Sequence, residues 1–367
     1  MIKIIHIAKP VAGVGNYIHL ISKHMDSGKF KNLLMCNLED NIFEIKDSNG
    51  FPVEIFSVNL EREINLVNDF KCLLNIIKHL KKIKPDLIHC HSAKAGILGR
   101  LAGFFLNIPT YYTPHAYSYL SAETKNRKFF LQKIEKLFKW FPSKTLACSV
   151  SEYNRTINDL NFNSKKVFLW NNSIEPIVEL NNNHKTPKKY ICFIGRLSYQ
   201  KNPQLLIKSF LELRKKMTDV HLMMVGIGHY SPDLYEIEEM IKNMGLADNI
   251  TLIPWLNRTE TLEILKKAEV YVSTSRYEGL PFALIEALAL SKACVVTNVD
   301  GNKDLVQNEI NGYCVDENPK EISKKIYSIL SNEELRKKME ENSKVLFNQK
   351  YNIENNIPLL EKIYLEF

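Results

Sequence analysis

Two glutamates eight residues apart, Glu278 and Glu286, are the pair whose type and spacing first suggest chemistry. Glu278 follows a strand-like run at 270–274 and reads as a loop residue. Pro281 suits the first turn of a helix, where its missing N–H costs nothing. Residues 283–290 read as an Ala/Leu-rich buried helix, so Glu286 lies on an apolar element. A carboxylate there needs a partner, because burying it alone is costly. A strand, a loop acid and a helix acid describe a small-molecule site at the carboxyl end of a parallel strand. One surface glutamate and one helix-capping glutamate would produce the same spacing, and spacing alone leaves both open. A second group is Gly195-Arg196-Leu197, placed after a strand, with Lys201 five residues past Arg196. A guanidinium fork and an ammonium point charge at a strand end suit a diphosphate. A third is the loop 9–15, carrying Gly13 and Gly15 between a strand at 2–8 and a helix at 16–24. Such a loop can hold a phosphate on backbone N–H groups. Ile18 stands where the dinucleotide fingerprint needs a third glycine, so that fingerprint is absent, and a plain tight turn explains the pair equally well.

Metal chemistry has little support. Cys90 lies between His89 and His91, but on one extended run the two histidines face opposite to the cysteine. The seven cysteines are scattered, with no Cys-x-x-Cys, which fits reduced thiols in a cytosolic protein.

The elements that must position these groups belong to two domains, since 367 residues exceed one ordinary core. Hydrophobic content of 45% and charged content of 25% are ordinary for a soluble protein. No apolar run reaches the roughly 18 residues of a membrane helix, and the N-terminus lacks a signal-peptide pattern. Short apolar strands and charged helices alternate through both halves, which implies α/β domains with parallel sheets covered on both faces. The pattern breaks near Glu175, and 181–187 reads as a linker. The expected division is a first domain at 1–175, a linker at 176–188, a second domain at 189–345 and a helical tail at 346–367. The formal charge of +8 is uneven: fourteen basic residues between Lys71 and Lys144 face only Asp86, Glu123 and Glu135. That imbalance suggests an anionic partner, either ligand phosphates or a lipid surface, unless it is only a solvated lysine-rich face. A nucleic-acid partner is not expected.

Taken together, Gly195-Arg196-Leu197 with Lys201, Val225-Gly226-Ile227-Gly228, the Glu-x7-Glu pair and Asn311-Gly312-Tyr313 resemble the retaining glycosyltransferases of family 4. Residues 85–92 and Thr113-Pro114-His115 resemble the bacterial capsule and O-antigen branch. The resemblance implies the GT-B fold, two Rossmann-like domains facing an interdomain cleft, with the last helix crossing back to the first domain. It implies a nucleotide-diphosphate sugar donor, most often a UDP-sugar, and a lipid-pyrophosphate-linked saccharide acceptor. Glu278 would contact the donor sugar, with Gly279, Leu280 and Pro281 forming its loop. Glu286 would bind the ribose, and Arg196 and Lys201 would neutralise the diphosphate. Gly13 and Gly15 would let the first-domain loop approach it, and His115 would face the transferred sugar. The transfer would proceed by front-face attack with no protein nucleophile and no metal or other cofactor. A nucleotide-sugar epimerase or a catalytically silent sugar-nucleotide binder on the same fold remain alternatives. Three positions depart from the family pattern: Ala116 follows His115 in place of glycine, Asp304 replaces a glutamate, and Pro254 precedes Trp255 where glycine is common.

The basic stretch 127–140 places Phe130, Ile134, Leu137 and Phe138 on one helical face among Lys128, Lys133, Lys136 and Lys139. It is expected either to touch anionic lipid at the inner face of the cytoplasmic membrane or to pack that stripe on the first sheet.

Overall fold

Runs rich in Ile, Val, Leu and Cys, too short for helices and apolar on both faces, form central strands of parallel sheets. The computed structural model describes residues 1–366 other than 12, 39–43, 62–63, 179, 181–184 and 229–230. Within them the chain divides into two units, 1–175 with 353–366 and 176–352. The first contains β1 (Ile2–Ile7), α1 (Gly13–His24), β2 (Phe30–Cys36), β3 (Glu54–Ser57), α2 (Leu66–Ile83) and β4 (Leu87–His91). It continues with α3 (Ala93–Leu106), β5 (Thr110–Thr113), α4 (Lys125–Leu137), β6 (Lys144–Ala147), α5 (Val150–Asn158) and β7 (Val167–Leu169). Its parallel sheet runs β3-β2-β1-β4-β5-β6-β7. The chain winds outward from β1 in one direction and then from β4 in the other. The switch point, where ligands bind on such sheets, lies between these two strands at their carboxyl ends.

Alternation decides which residues reach which face. Ile5, Ile7, Ile88 and Cys90 enter an apolar core with Leu73, Ile76 and Leu80 of α2 and Ala95, Leu98 and Ala102 of α3. The helix α3 lies so close that a Cβ at Gly99 would fall 2.2 Å from Cys90 Sγ. His6, His89 and His91 alternate with these residues, and His6 and His89 are direct neighbours in the β1–β4 register.

The second unit repeats the plan. It contains β8 (Tyr190–Ile194), α6 (Pro203–Arg214), β9 (His221–Ile227), α7 (Leu234–Asn243), β10 (Ile250–Pro254), α8 (Arg258–Lys267) and β11 (Val270–Ser273). Then come α9 (Phe282–Ala289), β12 (Ala293–Thr297), α10 (Asn302–Leu305), β13 (Gly312–Val315), α11 (Pro319–Leu330) and α12 (Glu333–Lys350). Its parallel sheet runs β10-β9-β8-β11-β12-β13, with the switch point between β8 and β11.

Several expectations change. α12 continues to Lys350 and belongs to the second unit, so the return to the first begins at Ile353 with α13 (Ile353–Leu365) and not at residue 346. Part of the expected linker, 179 and 181–184, lies outside the described residues. α1 starts at Gly13, three residues early, so Gly13 and Gly15 sit in its first turn and not in a loop. Pro281 is the N-cap of α9, just before its first turn. α5 was not expected. Its N-cap Ser149 accepts a hydrogen bond from Glu152 N–H and starts that helix.

The apolar stripe of α4 is divided. Phe138 is buried and Leu131 and Ile134 pack on the core, whereas Phe130 and Leu137 point to solvent with Phe129 and Trp140. Glu135 causes this rotation. It is buried, accepts from Arg100 Nη2 at 2.9 Å and from Tyr112 Oη at 3.1 Å, and so fixes the inward face. Arg100 and Glu135 are therefore a buried pair, not part of the basic surface. No described helix is long and apolar enough to cross a membrane. All seven cysteines are free thiols.

Candidate active site

In the second unit the predicted groups converge on the switch point. Lys201 follows β8, Glu278 follows β11, and their side chains meet at 2.6 Å. The same carboxylate oxygen of Glu278 accepts from Ser275 Oγ at 2.7 Å, and Gln200 Nε2 lies 3.4 Å from the other. Thr274 Oγ1 donates to the carbonyls of Lys201 and Asn202, which ties the two strand-end loops together. Glu278 is buried, so these partners offset the cost of desolvating its charge. Arg196, on the Lys201 loop, is half-buried and makes no hydrogen bond or ion pair with a described residue. Of the two cations, one is held by an acid and the other is uncommitted among the described residues.

The loop 278–281 is shaped from outside. Gly301 takes φ +77°, and a Cβ there would sit 2.7 Å from Gly279 O and 3.0 Å from Glu278 Cβ. Asp304 accepts from Gly301 N–H at 3.0 Å, so the shorter acid still closes this turn. Leu280 and Pro281 are buried beneath it.

Glu286 has the partner its burial demands. Arg258 Nε, at the start of α8, donates to Glu286 Oε1 at 3.0 Å. Burial raises the Glu286 pKa while the Arg258 charge opposes that rise. Arg258 carries no motif. Its only local signal is the capping box of Asn257 and Glu260, which marks a helix start without saying where that start lands. Trp255, just past β10, is 66% exposed.

In the first unit His115 follows β5. Both His115 and Ala116 have left-handed backbone, φ +53° and +79°. Glycine would adopt this without strain, and here an alanine is held in it. The restraint is Glu152 of α5, whose carboxylate accepts from Ala116 N–H at 2.9 Å and Cys148 N–H at 3.0 Å. The His115 ring packs edge-on to Tyr17 of α1, centroids 4.7 Å apart. Gly13 is exposed in the first turn of α1 and Gly15 is buried.

Behind His115 stands a group that the sequence reading separated. His91 Nδ1 lies 3.1 Å from His115 Nε2, His6 Nδ1 lies 3.0 Å from His91 Nε2, and His6 Nε2 lies 3.1 Å from Asn32 Oδ1. His89 is bonded by Tyr364 Oη at 2.6 Å and Thr113 Oγ1 at 2.8 Å. Burial lowers the pKa of His6 to about 4 and those of His89 and His91 well below the usual value, and lowers that of His115 as well. His6, His89 and His91 are close enough to share a metal ion. However, all six of their ring nitrogens are already hydrogen-bonded within the protein, and a buried dication there would meet no carboxylate among the trio. His89 and His91 do face opposite to Cys90, as alternation requires, but the trio depended on His6 from another strand.

Known proteins carry the same pattern. The Glycosyltransferase Family 4 domain matches residues 11–176 and the Glycosyl transferases group 1 domain matches 178–345. The chain is 30% identical over 279 residues to the UDP-Gal:alpha-D-GlcNAc-diphosphoundecaprenol alpha-1,3-galactosyltransferase of Escherichia coli, covering 72% of this chain and 70% of that protein. It is 27% identical to a capsular polysaccharide biosynthesis glycosyltransferase of Staphylococcus aureus, covering 84% of each. The solved structure of Anabaena HepE in complex with UDP-glucose aligns with TM-score 0.79 over all of both chains at 16% identity, which speaks to fold alone. With its two parallel Rossmann-like sheets and these relatives, the chain is a GT-B glycosyltransferase of family 4.

Proposed function

We propose that this glycosyltransferase moves a hexose from a UDP-sugar to a lipid-pyrophosphate-linked saccharide in bacterial surface polysaccharide synthesis, with retention of configuration and without a metal or other cofactor. The observation that carries the reading is the Glu278 carboxylate clamped by Lys201 and Ser275 at the switch point, with Arg196 on the same loop and unpaired among the described residues. Cations held at strand ends in a fixed geometry suit a departing diphosphate, whose charge grows as the glycosidic bond breaks. Relatives support both substrates: one is named for UDP-Gal and a diphosphoundecaprenol acceptor, and another structure was solved with UDP-glucose.

Arg196 and Lys201 neutralise the diphosphate, Glu286 binds the ribose hydroxyls, and Glu278 with Gly279, Leu280 and Pro281 holds the donor sugar. Gly13 and Gly15 offer first-turn N–H groups, which no intrahelical carbonyl claims. His115 contacts the transferred sugar. The C1–oxygen bond breaks and its electron pair leaves with UDP. The acceptor hydroxyl attacks C1 on the same face and passes its proton to the departing phosphate oxygen. The protein's part is charge stabilisation and positioning. The exposed aromatic and lysine side chains of α4 meet anionic lipid at the inner face of the cytoplasmic membrane.

The test is a transfer assay with a panel of UDP-sugars and a lipid-pyrophosphate-linked monosaccharide, in the presence of chelator. Transfer from at least one donor, with the donor's anomeric configuration kept in the product by NMR, is expected. An inverted anomer, or a strict requirement for added divalent metal, would overturn the mechanism. No transfer from any UDP-sugar would overturn the substrate assignment.

A further inference from the structure

We infer that Asn32, His6 and His91 are positioning residues that fix the tautomer of His115, so that its open nitrogen Nδ1 is a hydrogen-bond acceptor. The row of donors and acceptors begins at a group with no proton to give. Asn32 Nδ2 faces the thioether of Met25, Sδ at 3.8 Å, which can only accept. That orients the amide, and its other atom, Oδ1, faces His6 Nε2 at 3.1 Å. A carbonyl oxygen can only accept, so His6 carries its proton on Nε2. Burial keeps the ring neutral, so His6 Nδ1 is a lone pair. His91 Nε2, 3.0 Å away, must then be the donor, and His91 Nδ1 is in turn a lone pair. His115 Nε2, at 3.1 Å, donates to it. The proton arrangement is settled from Asn32 to His115, across β2, β1, β4 and the loop after β5. His115 Nδ1 is left unprotonated, with no hydrogen-bond partner among the described residues.

The consequence rests on the proposed contact between His115 and the transferred sugar. A lone pair there accepts a hydrogen bond from a sugar hydroxyl and rejects an ether or a second acceptor at that position. Because burial also lowers the His115 pKa, the ring orients a hydroxyl and does not carry a proton away at neutral pH. His89 serves as an internal contrast. Thr113 Oγ1 donates to Leu146 O at 2.8 Å, so it accepts from His89 Nε2, and Tyr364 Oη donates to His89 Nδ1. That ring is set by a separate route.

The experiment is nitrogen-15 NMR of the histidine rings in the full chain at pH 7, with rings assigned by single substitutions. His115 is expected to show a protonated Nε2 and a bare Nδ1. A protonated Nδ1, or an imidazolium, in the wild type would overturn the inference without any variant being needed. Asn32→Leu removes the first acceptor. It is expected to turn the His115 signal into a mixture of tautomers and to lower turnover about tenfold, the cost of one misdirected hydrogen bond. UDP affinity should be unchanged. Tyr364→Phe removes a hydroxyl from the same cluster but not from the chain, and should leave the His115 tautomer intact. An unaltered tautomer in Asn32→Leu, or an equal change in Tyr364→Phe, would sink the relay. The spectrum reads the tautomer whichever sugar is transferred, so an error in the substrate assignment would silence turnover and leave the spectrum in place.

Discussion

Arg196 and Lys201 differ in what holds them before substrate arrives. Lys201 is paired with Glu278, whereas Arg196 has no described partner. Arg196→Ala should therefore leave the unliganded fold intact and lower turnover by about 10²-fold or more, as loss of a preorganised charge contact does. Lys201→Ala should cost a similar factor and also some stability, because it strands a buried carboxylate. Near-wild-type kcat in both variants would remove the diphosphate assignment. Glu278 and Glu286 separate in the same way. Glu278→Gln should chiefly lower turnover, and Glu286→Gln should chiefly weaken UDP binding measured by calorimetry. Unchanged UDP affinity in Glu286→Gln would count against the ribose role. Glu286 is bonded by Arg258, so a ribose bound at Glu286 would share or displace that guanidinium.

At the scale of elements, α4 offers a physical test of the membrane. Its outward side carries Phe129, Phe130 and Leu137, each about 60% exposed, with Trp140 at 79% just beyond. Lys133 lies over the Phe129 ring and Lys139 over Trp140. Aromatic rings beside lysines suit an anionic bilayer surface, where salt screens the attraction. Vesicles containing anionic lipid should float the protein at low salt and release it as salt rises. Replacing Lys128, Lys133, Lys136 and Lys139 with Gln should reduce flotation without unfolding; wild type left behind by anionic vesicles would rule this face out. The same helix shows where sequence reading reached and where it stopped. The places of Arg196 and Lys201 after β8, Glu278 after β11 and Glu286 on the helix that follows were legible because strand–loop–helix patterns are local signals. The face of α4 was not, because Arg100 of α3 pulls Glu135 inward from 35 residues away. The His6–His91 contact spans 85 residues and depends on which strands become neighbours. Arg258 belongs to no motif, and the Ser149-x-x-Glu152 pattern marks only a helix start, so only folding reveals what each one holds.

For the whole molecule, the buried histidines set a pH limit. An unfolded histidine takes up its proton near pH 6.5, whereas burial holds His6 down to about 4 and His89 and His91 well below the usual value. Below pH 6.5 the unfolded chain binds more protons than the folded one, so stability is full above that value and falls as pH drops. Three such rings remove about 4 kcal/mol between pH 7.5 and 5.5, because each unfolded ring gains about 1.4 kcal/mol from protonation one unit below its pKa. Urea unfolding at pH 7.5 and 5.5 should show this as a lower midpoint at the acid pH, and coincident midpoints would mean that these rings are not buried neutral. The return of α13 to the first unit has a consequence for how the protein is made. Tyr111 Oη donates to Ile363 O at 2.8 Å, Trp170 Nε1 to Asn356 O at 2.9 Å, and Tyr364 reaches His89. The first domain therefore cannot be finished by its own first 175 residues. On the ribosome it must wait, with the face that α13 will cover open, while the entire second domain is synthesised and emerges. The first half begun is the last half completed, and the codons for 353–365 decide whether the histidine core is ever sealed.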